Sequence, residues 1–240
     1  MPVAPLPKAL LFDVFGTCVD WRTGITKAGE ALGQRLAGLP DTNWAAFADA
    51  WRAQYQPQLT SVRSGARPWT RLEILNRESL DTVLADFGLQ QVPATERDAF
   101  NLAWRHLLPW PDTVAGLHRL KTRFILAPNS NADIALAVHM AKFANLPWDV
   151  ILGAEVAQHY KPQPEAYLRS VAALGLTPHE VLMVAAHNED LVAAGAQGLQ
   201  TAFVARPLEH GPGQTADLHP AHAFTYIAHD LHELAAQLGA

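Results

Sequence analysis

Residues 10–22 read LLFDVFGTCVDWR, an apolar run that ends abruptly at an acidic residue. The run from Lys8 to Phe12 predicts a buried strand, and Gly16 with Thr17 predicts a tight loop directly after it. An aspartate at the end of such a strand, here Asp13, is either a turn-capping residue or a nucleophilic carboxylate that a nearby cation keeps ionised. The second interpretation requires the rest of the chain to supply that cation.

Helical periodicity replaces the strand pattern from Ile25 to about Leu107. One apolar stripe follows a capping Asn43, and a second covers the segment from Leu72 to Phe87. The first stripe consists of Trp44, Phe47, Ala48, Trp51 and Tyr55. We therefore expect residues 23–109 to form a helical cap that is inserted directly after the first strand.

From residue 110 onward the pattern alternates between strand and helix. The predicted strands are 123–127, 150–152, 181–185, 201–204 and 224–227, and the predicted helices are 134–143, 164–174 and 190–196. Repeated strand-helix units imply a parallel sheet with helices on both faces. The sequence therefore predicts an α/β protein with a doubly wound, Rossmann-like core, formed by residues 1–22 and 110–240, and an inserted helical cap.

Composition and charge exclude several classes of function. The 240 residues carry a net charge of -5, and their 18 Lys and Arg residues are scattered, so we expect no nucleic-acid partner and no membrane surface. The single Cys18 excludes an intramolecular disulfide and suits a reducing compartment. Since no segment has the length of a signal peptide core or a membrane span, we expect a soluble cytoplasmic protein.

Polar residues cluster where the predicted strands end, which is where open parallel sheets bind ligands. They are Asp13 with Thr17, Ser130 with Asn131, Lys161, and His187 with Asn188 and Asp190. Lys161 is a candidate for the cation that a nucleophilic Asp13 needs, so this combination favours the nucleophile over the turn-capping interpretation. His187 is either a base, because imidazole titrates near neutrality, or a structural hydrogen-bonding group.

Four segments resemble, in the same order, the four motifs of the haloacid dehalogenase superfamily. They are LLFDVFGTCVDWR, LAPNSN, HYKPQPEAY and VAAHNED, and they extend over most of the chain. The residues that match are Asp13 as the nucleophile of the first motif, Ser130 and Asn131 in the second, Lys161 and Tyr167 in the third, and Asp190 in the fourth. The resemblance implies the α/β core of that superfamily with a cap domain.

Phe15 separates this chain from the most common branch of the superfamily, the magnesium-dependent phosphatases. Their first motif is Asp-x-Asp, in which the second Asp protonates the leaving group, and an aromatic ring at that position can neither donate a proton nor bind a metal. A phosphatase is therefore the alternative function, and an inactive binding protein is another. A serine hydrolase would need Gly-x-Ser-x-Gly, which does not occur in the sequence.

The chain instead resembles the type II L-2-haloacid dehalogenases, including the run from Val19 to Arg22 and the cap segment WRAQYQPQL. This resemblance implies that Asp13 displaces halide from a small 2-halo-carboxylate with inversion at C2, and that water then hydrolyses the ester with Asp190, Lys161 or His187 as activating groups. It implies neither a metal nor any other cofactor, and it implies a homodimer. The residues implied to bind substrate are Thr17, Ser130, Asn131, Phe15 and Tyr167, and those implied to bind halide are Arg52 and Asn131. Ala132, Ala185 and His187 depart from the usual Gly, Ser and Asn of that branch.

Overall fold

A six-stranded parallel sheet forms the core of the protein, for which a computed structural model describes residues 5–240. The strands are β1 (Ala9–Phe12), β2 (Ile125–Ser130), β3 (Leu152–Gly153), β4 (Val181–Ala185), β5 (Gln200–Val204) and β6 (Tyr226–Ala228). Their order in the sheet is β3-β2-β1-β4-β5-β6, and β1 pairs in parallel with β2 on one side and β4 on the other. The predicted doubly wound α/β fold is confirmed.

Helices occupy both the segment after β1 and the connections between the later strands. Between β1 and β2 lie α1 (Trp21–Arg35), α2 (Trp44–Ala53), α3 (Tyr55–Arg63), α4 (Leu72–Asp86), α5 (Ala94–Asn101), a 3-10 helix (Leu102–Arg105) and α6 (Thr113–Lys121). The remainder are α7 (Ile134–Ala144), α8 (Ala154–Ala157), α9 (Pro164–Ala173), a 3-10 helix (Pro178–Glu180), α10 (Asn188–Ala196) and α11 (Leu231–Gln237). The first helix begins two residues before the predicted cap, at Trp21, and the next four lie within it, while the limits of that cap stay a prediction.

Side-chain alternation along β1 explains why both faces of the sheet are covered. Leu10 and Phe12 belong to the larger apolar cluster, with side chains from α6, α7, α11 and the helices after β1. Ala9 and Leu11 point the other way and pack with α9 and α10. Since successive strand residues face opposite sides, a strand buried on both faces must be apolar throughout. Its first polar residue, Asp13, is therefore left at the carboxyl edge.

Three polar side chains set the starting points of long helices. Asp20 accepts a hydrogen bond from the Thr23 backbone at the start of α1, and Asn43 does the same for Ala46 at the start of α2. At the start of α7, the side chain of Asp133 accepts from a backbone N–H. Such caps satisfy amides that have no partner within the helix.

The structure corrects several predicted element limits. The apolar stripe from Trp44 to Tyr55 belongs to two helices, because the backbone N–H of Gln54 turns back to the carbonyls of Trp51 and Arg52 and ends α2 there. Strand β2, predicted at 123–127, begins two residues later and ends three residues later, at Ser130, so this serine lies in the strand and not after it. No helix within residues 5–240 is long and apolar enough to cross a membrane.

Candidate active site

Asp13 lies directly after β1 and is anchored from several sides. Its backbone N–H donates to the Val184 carbonyl of β4 at 2.9 Å. Oδ1 accepts a hydrogen bond from Lys161 Nζ at 2.8 Å, and Oδ2 accepts one from Thr17 Oγ1 at 2.8 Å. Nδ1 of His187 lies 3.2 Å from the same Oδ2. The carboxylate is thus fixed in orientation while 7% of the residue stays exposed.

Lys161 links the two acidic residues that the sequence places in the site. Its ammonium pairs with Asp13 and with Oδ2 of Asp190. The other oxygen of Asp190 accepts a hydrogen bond of 2.6 Å from the Tyr167 hydroxyl. Burial alone lowers the pKa of Lys161, but the charges of the two aspartates outweigh burial and raise it above the ordinary lysine value. Lys161 is therefore a permanent cation.

The charge state of Asp13 follows from these partners. Burial by itself raises the pKa of the Asp13 carboxyl, whereas Lys161 and then His187 lower it, and the combined result is a pKa far below the usual range of aspartate. Asp13 is ionised at every pH at which the protein is expected to work. An ionised, buried carboxylate with its orientation fixed is suited to nucleophilic attack.

Glu209 is the functional residue that sequence reasoning missed. It follows β5, it is 1% exposed, and its Oε2 lies 2.9 Å from Nε2 of His187. Trp21 donates from Nε1 to Oε1 of the same carboxylate at 3.0 Å. Burial raises the pKa of Glu209, but the facing His187 lowers it below the ordinary value. The one available signal was its position beyond the carboxyl end of a strand.

Gly16 makes room for Glu209 beside the nucleophile loop. Its φ of +86° lies in the region that favours glycine, and a Cβ at this position would overlap the Glu209 carboxylate. The tight loop predicted at this point therefore has two reasons to contain glycine.

A cavity of about 410 Å³ opens above Asp13. The predicted site residues that line it are Asp13, Phe15, Arg52, Asn131, Lys161, Tyr167, His187 and Asp190. Thr17 and Ser130 lie behind this wall, where the Thr17 hydroxyl bonds Asp13 and accepts from the Ala186 N–H, and Ser130 Oγ accepts from the Ala132 N–H at 3.2 Å. The structure thus places these two hydroxyls on the protein's own loops, because both residues are at most 1% exposed.

Arg52 and Asn131 meet at Tyr55. The guanidinium carbon of Arg52 lies 4.0 Å from the centre of the Tyr55 ring, and the Tyr55 hydroxyl accepts a hydrogen bond of 2.9 Å from Asn131 Nδ2. Asn131 Oδ1 accepts from the Lys161 backbone N–H at 2.8 Å. One continuous set of contacts therefore runs from α2 to the loop that carries Lys161.

Comparison with known proteins identifies the family to which this chain belongs. A family model of haloacid dehalogenase-like hydrolases matches residues 7–198. The chain belongs to this family. It is 27% identical over 205 residues to (S)-2-haloacid dehalogenase 1 of Pseudomonas sp. strain CBS-3, a match that covers 83% of this chain and 85% of that protein. The superfamily predicted from the four motifs is confirmed.

Two solved structures of haloacid dehalogenases are more similar still to this haloacid dehalogenase-like hydrolase. A defluorinating L-2-haloacid dehalogenase is 49% identical with a TM-score of 0.95, and the match covers 98% of this chain and 96% of the other. A second L-2-haloacid dehalogenase is 45% identical with a TM-score of 0.93, covering 97% of this chain and 99% of the other. A phosphatase is also related, since hexitol phosphatase A of Escherichia coli is 29% identical over 197 residues, covering 80% of this chain and 78% of that protein.

The site of this haloacid dehalogenase-like hydrolase does not fit a magnesium ion. Phe15 takes the position of the second carboxylate and packs edge-on against Trp104, with 5.8 Å between the ring centres. The Lys161 ammonium already pairs with both Asp13 and Asp190. Within residues 5–240, His, Cys, Asp and Glu side chains form no group of three that could hold a metal ion.

Proposed function

We propose that this protein hydrolyses small 2-halo-carboxylates to 2-hydroxy acids, with a preference for the S (L) form, through an ester on Asp13. The observation that carries the proposal is the ionised Asp13 carboxylate, which Lys161 holds at the base of a small cavity where Phe15 replaces the carboxylate of a metal site. The similar proteins named as (S)-2-haloacid dehalogenases support the same substrate class. The predicted cytoplasmic location and homodimer stay predictions from the sequence.

The first step forms a bond between a carboxylate oxygen of Asp13 and C2 of the substrate. The carbon-halogen bond breaks on the opposite side, halide leaves with the electron pair, and the configuration at C2 inverts. Arg52 lines the cavity and is held over Tyr55, so its guanidinium is placed to stabilise the departing halide. Asn131 contacts the same tyrosine and has a second amide hydrogen for that anion.

The second step hydrolyses the ester. Water attacks the side-chain carbon of Asp13, the 2-hydroxy acid leaves, and the carboxylate is regenerated with release of one proton. Asp190 is positioned to orient this water, because Lys161 and Tyr167 hold both of its oxygens. The Lys161 ammonium, which has three hydrogens and two carboxylate partners, retains one hydrogen for the substrate carboxylate.

Halide release from (S)- and (R)-2-chloropropionate and from fluoroacetate, with and without EDTA, tests the proposal. Fluoroacetate is included because the 49% identical relative is a defluorinating enzyme. We expect EDTA-resistant halide release that is lost in Asp13→Asn and retained in Glu78→Gln, a carboxylate-to-amide change at an exposed ion pair on α4. Magnesium-dependent release of phosphate from p-nitrophenyl phosphate, with no release of halide, would overturn the proposal in favour of a phosphatase.

A further inference from the structure

Both ring nitrogens of His187 face a carboxylate. Nδ1 lies 3.2 Å from Asp13 Oδ2, and Nε2 lies 2.9 Å from Glu209 Oε2. A neutral imidazole carries one hydrogen, so one of its nitrogens would direct a lone pair at an anion. The doubly protonated ring is the form that can donate to both partners, so this geometry favours an imidazolium cation.

Acidic groups outnumber basic groups around this ring. The charged groups that share its cavity or pair with it are Asp13, Glu209, Asp190, Glu189, Asp217, Arg52, Arg63 and Lys161, with His210 Nε2 at 3.7 Å from Glu209 Oε1. Burial alone lowers the pKa of His187, but Glu209 and Asp13 outweigh burial and raise it well above the ordinary histidine value. Glu209 is buried and does not line the cavity above Asp13, so its carboxylate does not contact a molecule bound there, and its direct link to Asp13 is the His187 ring.

The two oxygens of Asp13 are not equivalent. Oδ2 faces two donors, the Thr17 hydroxyl and His187 Nδ1, whereas Oδ1 accepts from Lys161 alone. An oxygen with more hydrogen bonds is a weaker nucleophile, and an oxygen that faces fixed donors is placed to carry negative charge in a transition state. The geometry assigns attack on C2 to Oδ1 and the carbonyl of the resulting ester to Oδ2.

We propose that His187 is a charged hydrogen-bond donor that stabilises the oxyanion formed on Asp13 Oδ2 during ester hydrolysis, and that Glu209 is the positioning residue that keeps this donor charged. The proposal rests on the proposed function and names a further residue for its second step. It differs from a role of His187 as the base, since the ring keeps both hydrogens throughout.

The step balances without proton transfer to His187. The oxygen of water bonds to the side-chain carbon of Asp13, and the carbonyl electron pair moves onto Oδ2. Collapse of this intermediate breaks the bond from that carbon to Oδ1, which leaves as the hydroxyl oxygen of the product. One proton of the water ends on this hydroxyl, and the other is released when Asp13 ionises again.

Glu209 becomes essential once the ester has formed. The ester removes the negative charge of Asp13 and with it one of the two anions that favour the imidazolium. The Glu209 carboxylate, paired with Nε2 and oriented by Trp21, is the anion that remains. Without it, His187 would lose its proton in the intermediate as the pH rises, and the donor on Oδ2 would be lost when hydrolysis requires it.

Rapid-quench kinetics of Glu209→Gln with (S)-2-chloropropionate test this role. We expect a first burst of halide equal to the enzyme concentration, followed by steady turnover that is slower than in the wild type by on the order of 10²-fold at pH 8, as for the loss of one oxyanion donor. Mass spectrometry should show the Asp13 ester accumulating. The ratio of wild-type turnover to Glu209→Gln turnover should increase as the pH rises. The ratio of wild-type turnover to Glu78→Gln turnover should stay constant.

Nitrogen-15 NMR of His187 gives a readout that does not depend on activity. In the wild type, both ring nitrogens should stay protonated through pH 8, and in His187→Gln the ester should accumulate with no dependence on pH. A neutral His187 in the wild type at pH 8 would overturn the proposal even if Glu209→Gln fails to fold. Ester hydrolysis at the wild-type rate in folded Glu209→Gln would also overturn it. Absence of halide release from wild type would instead contradict the proposed function.

Discussion

Lys161 donates a hydrogen bond from Nζ to Oδ1 of Asp13 over 2.8 Å, although 148 residues separate the two in the chain. The sheet brings them together, because β1 lies next to β2 and β3 follows β2 at the same edge. This contact gives the buried Asp13 carboxylate a cation partner, and it contributes to the lowered pKa of that carboxyl.

Removal of the Lys161 ammonium should raise the lowest pH at which the enzyme is active. In Lys161→Met, burial is no longer opposed by the ammonium, so the pKa of Asp13 should rise and the active carboxylate form should appear only at higher pH. We expect halide release to fall by on the order of 10³-fold at neutral pH, with an acid limb of kcat/KM shifted upward. Lys142→Met, at an exposed position of α7, is the control. An unchanged acid limb would contradict this assignment.

Labelled water should enter the enzyme before it enters the product. With enzyme in excess and a single turnover in water enriched in oxygen-18, water attacks the side-chain carbon of Asp13, so the label should be found in the peptide that contains this residue. Mass spectrometry of a proteolytic digest makes the measurement, and enzyme incubated without substrate is the control. Label found only in the 2-hydroxy acid would mean that water attacks C2 directly.

Arg52 should affect the first chemical step and not the second. Its guanidinium lines the cavity and stacks on Tyr55, so Arg52→Met removes a cation from the path of the halide. The burst of halide should slow by on the order of 10²-fold, and the loss should be greater for fluoride than for bromide because fluoride is the poorer leaving group. Rapid-quench measurement of burst rates checks this. Equal losses for both halides would assign Arg52 another role.

The sequence predicts the strands of the core well, because each is a short apolar run between turn residues. Strand β4 has the predicted limits, Val181–Ala185, and the helix predicted from residue 134 begins there, after an Asp133 cap that the structure shows. The break at Gln54 was not predictable from periodicity, since the apolar residues on both sides of it keep helical spacing. Local sequence patterns predict which helices and strands form, whereas tertiary contacts determine the residues at which they end.

The site residues that belong to sequence motifs were predicted, whereas Glu209, which belongs to no motif, was missed. Glu209 lies between Val204 and Tyr226, in a segment of turns and bends with no periodicity. Its importance arises from contacts with Trp21 and His187 that are remote in sequence. The Thr17 hydroxyl, predicted to bind substrate, donates a hydrogen bond to Asp13, a contact that the sequence does not show, and its role toward substrate stays a prediction.

A buried ion pair beneath the nucleophile loop should contribute to stability. Arg206 donates both terminal nitrogens to Asp112 at 2.8 Å and its Nε to the Thr17 carbonyl, and the two paired side chains are 7% and 12% exposed. Asp112→Asn leaves the arginine charge poorly paired, so the free energy of unfolding in urea should fall by about 3 kcal/mol. Asp49→Asn, which breaks a more exposed pair with Arg22, should cost under about 1 kcal/mol.

The pair of Arg206 and Asp112 also determines how the free energy of unfolding changes with pH. Burial raises the pKa of Asp112, but Arg206 outweighs burial and lowers it below the ordinary value. A carboxyl with a lowered folded-state pKa stabilises the protein above its unfolded pKa, and this contribution is lost as the pH falls through the folded value. Urea unfolding at pH 7 and at about pH 3 should therefore show a smaller difference between wild type and Asp112→Asn in acid. A difference that grows in acid would contradict the sign.

The chain leaves the sheet layer and returns to it at a single point. Val19 forms an antiparallel bridge with Pro109, the Cys18 carbonyl accepts from the Trp110 N–H at 3.1 Å, and Asp20 N–H donates to the Leu108 carbonyl at 2.9 Å. The helical segment between these two points is one continuous stretch of sequence, and its two ends are hydrogen-bonded to each other. It can therefore be exchanged as a unit while the ends of the strands stay in place. Under the proposed function, exchange of this segment replaces Arg52, the group assigned to the departing halide, while Asp13 stays at the end of its strand.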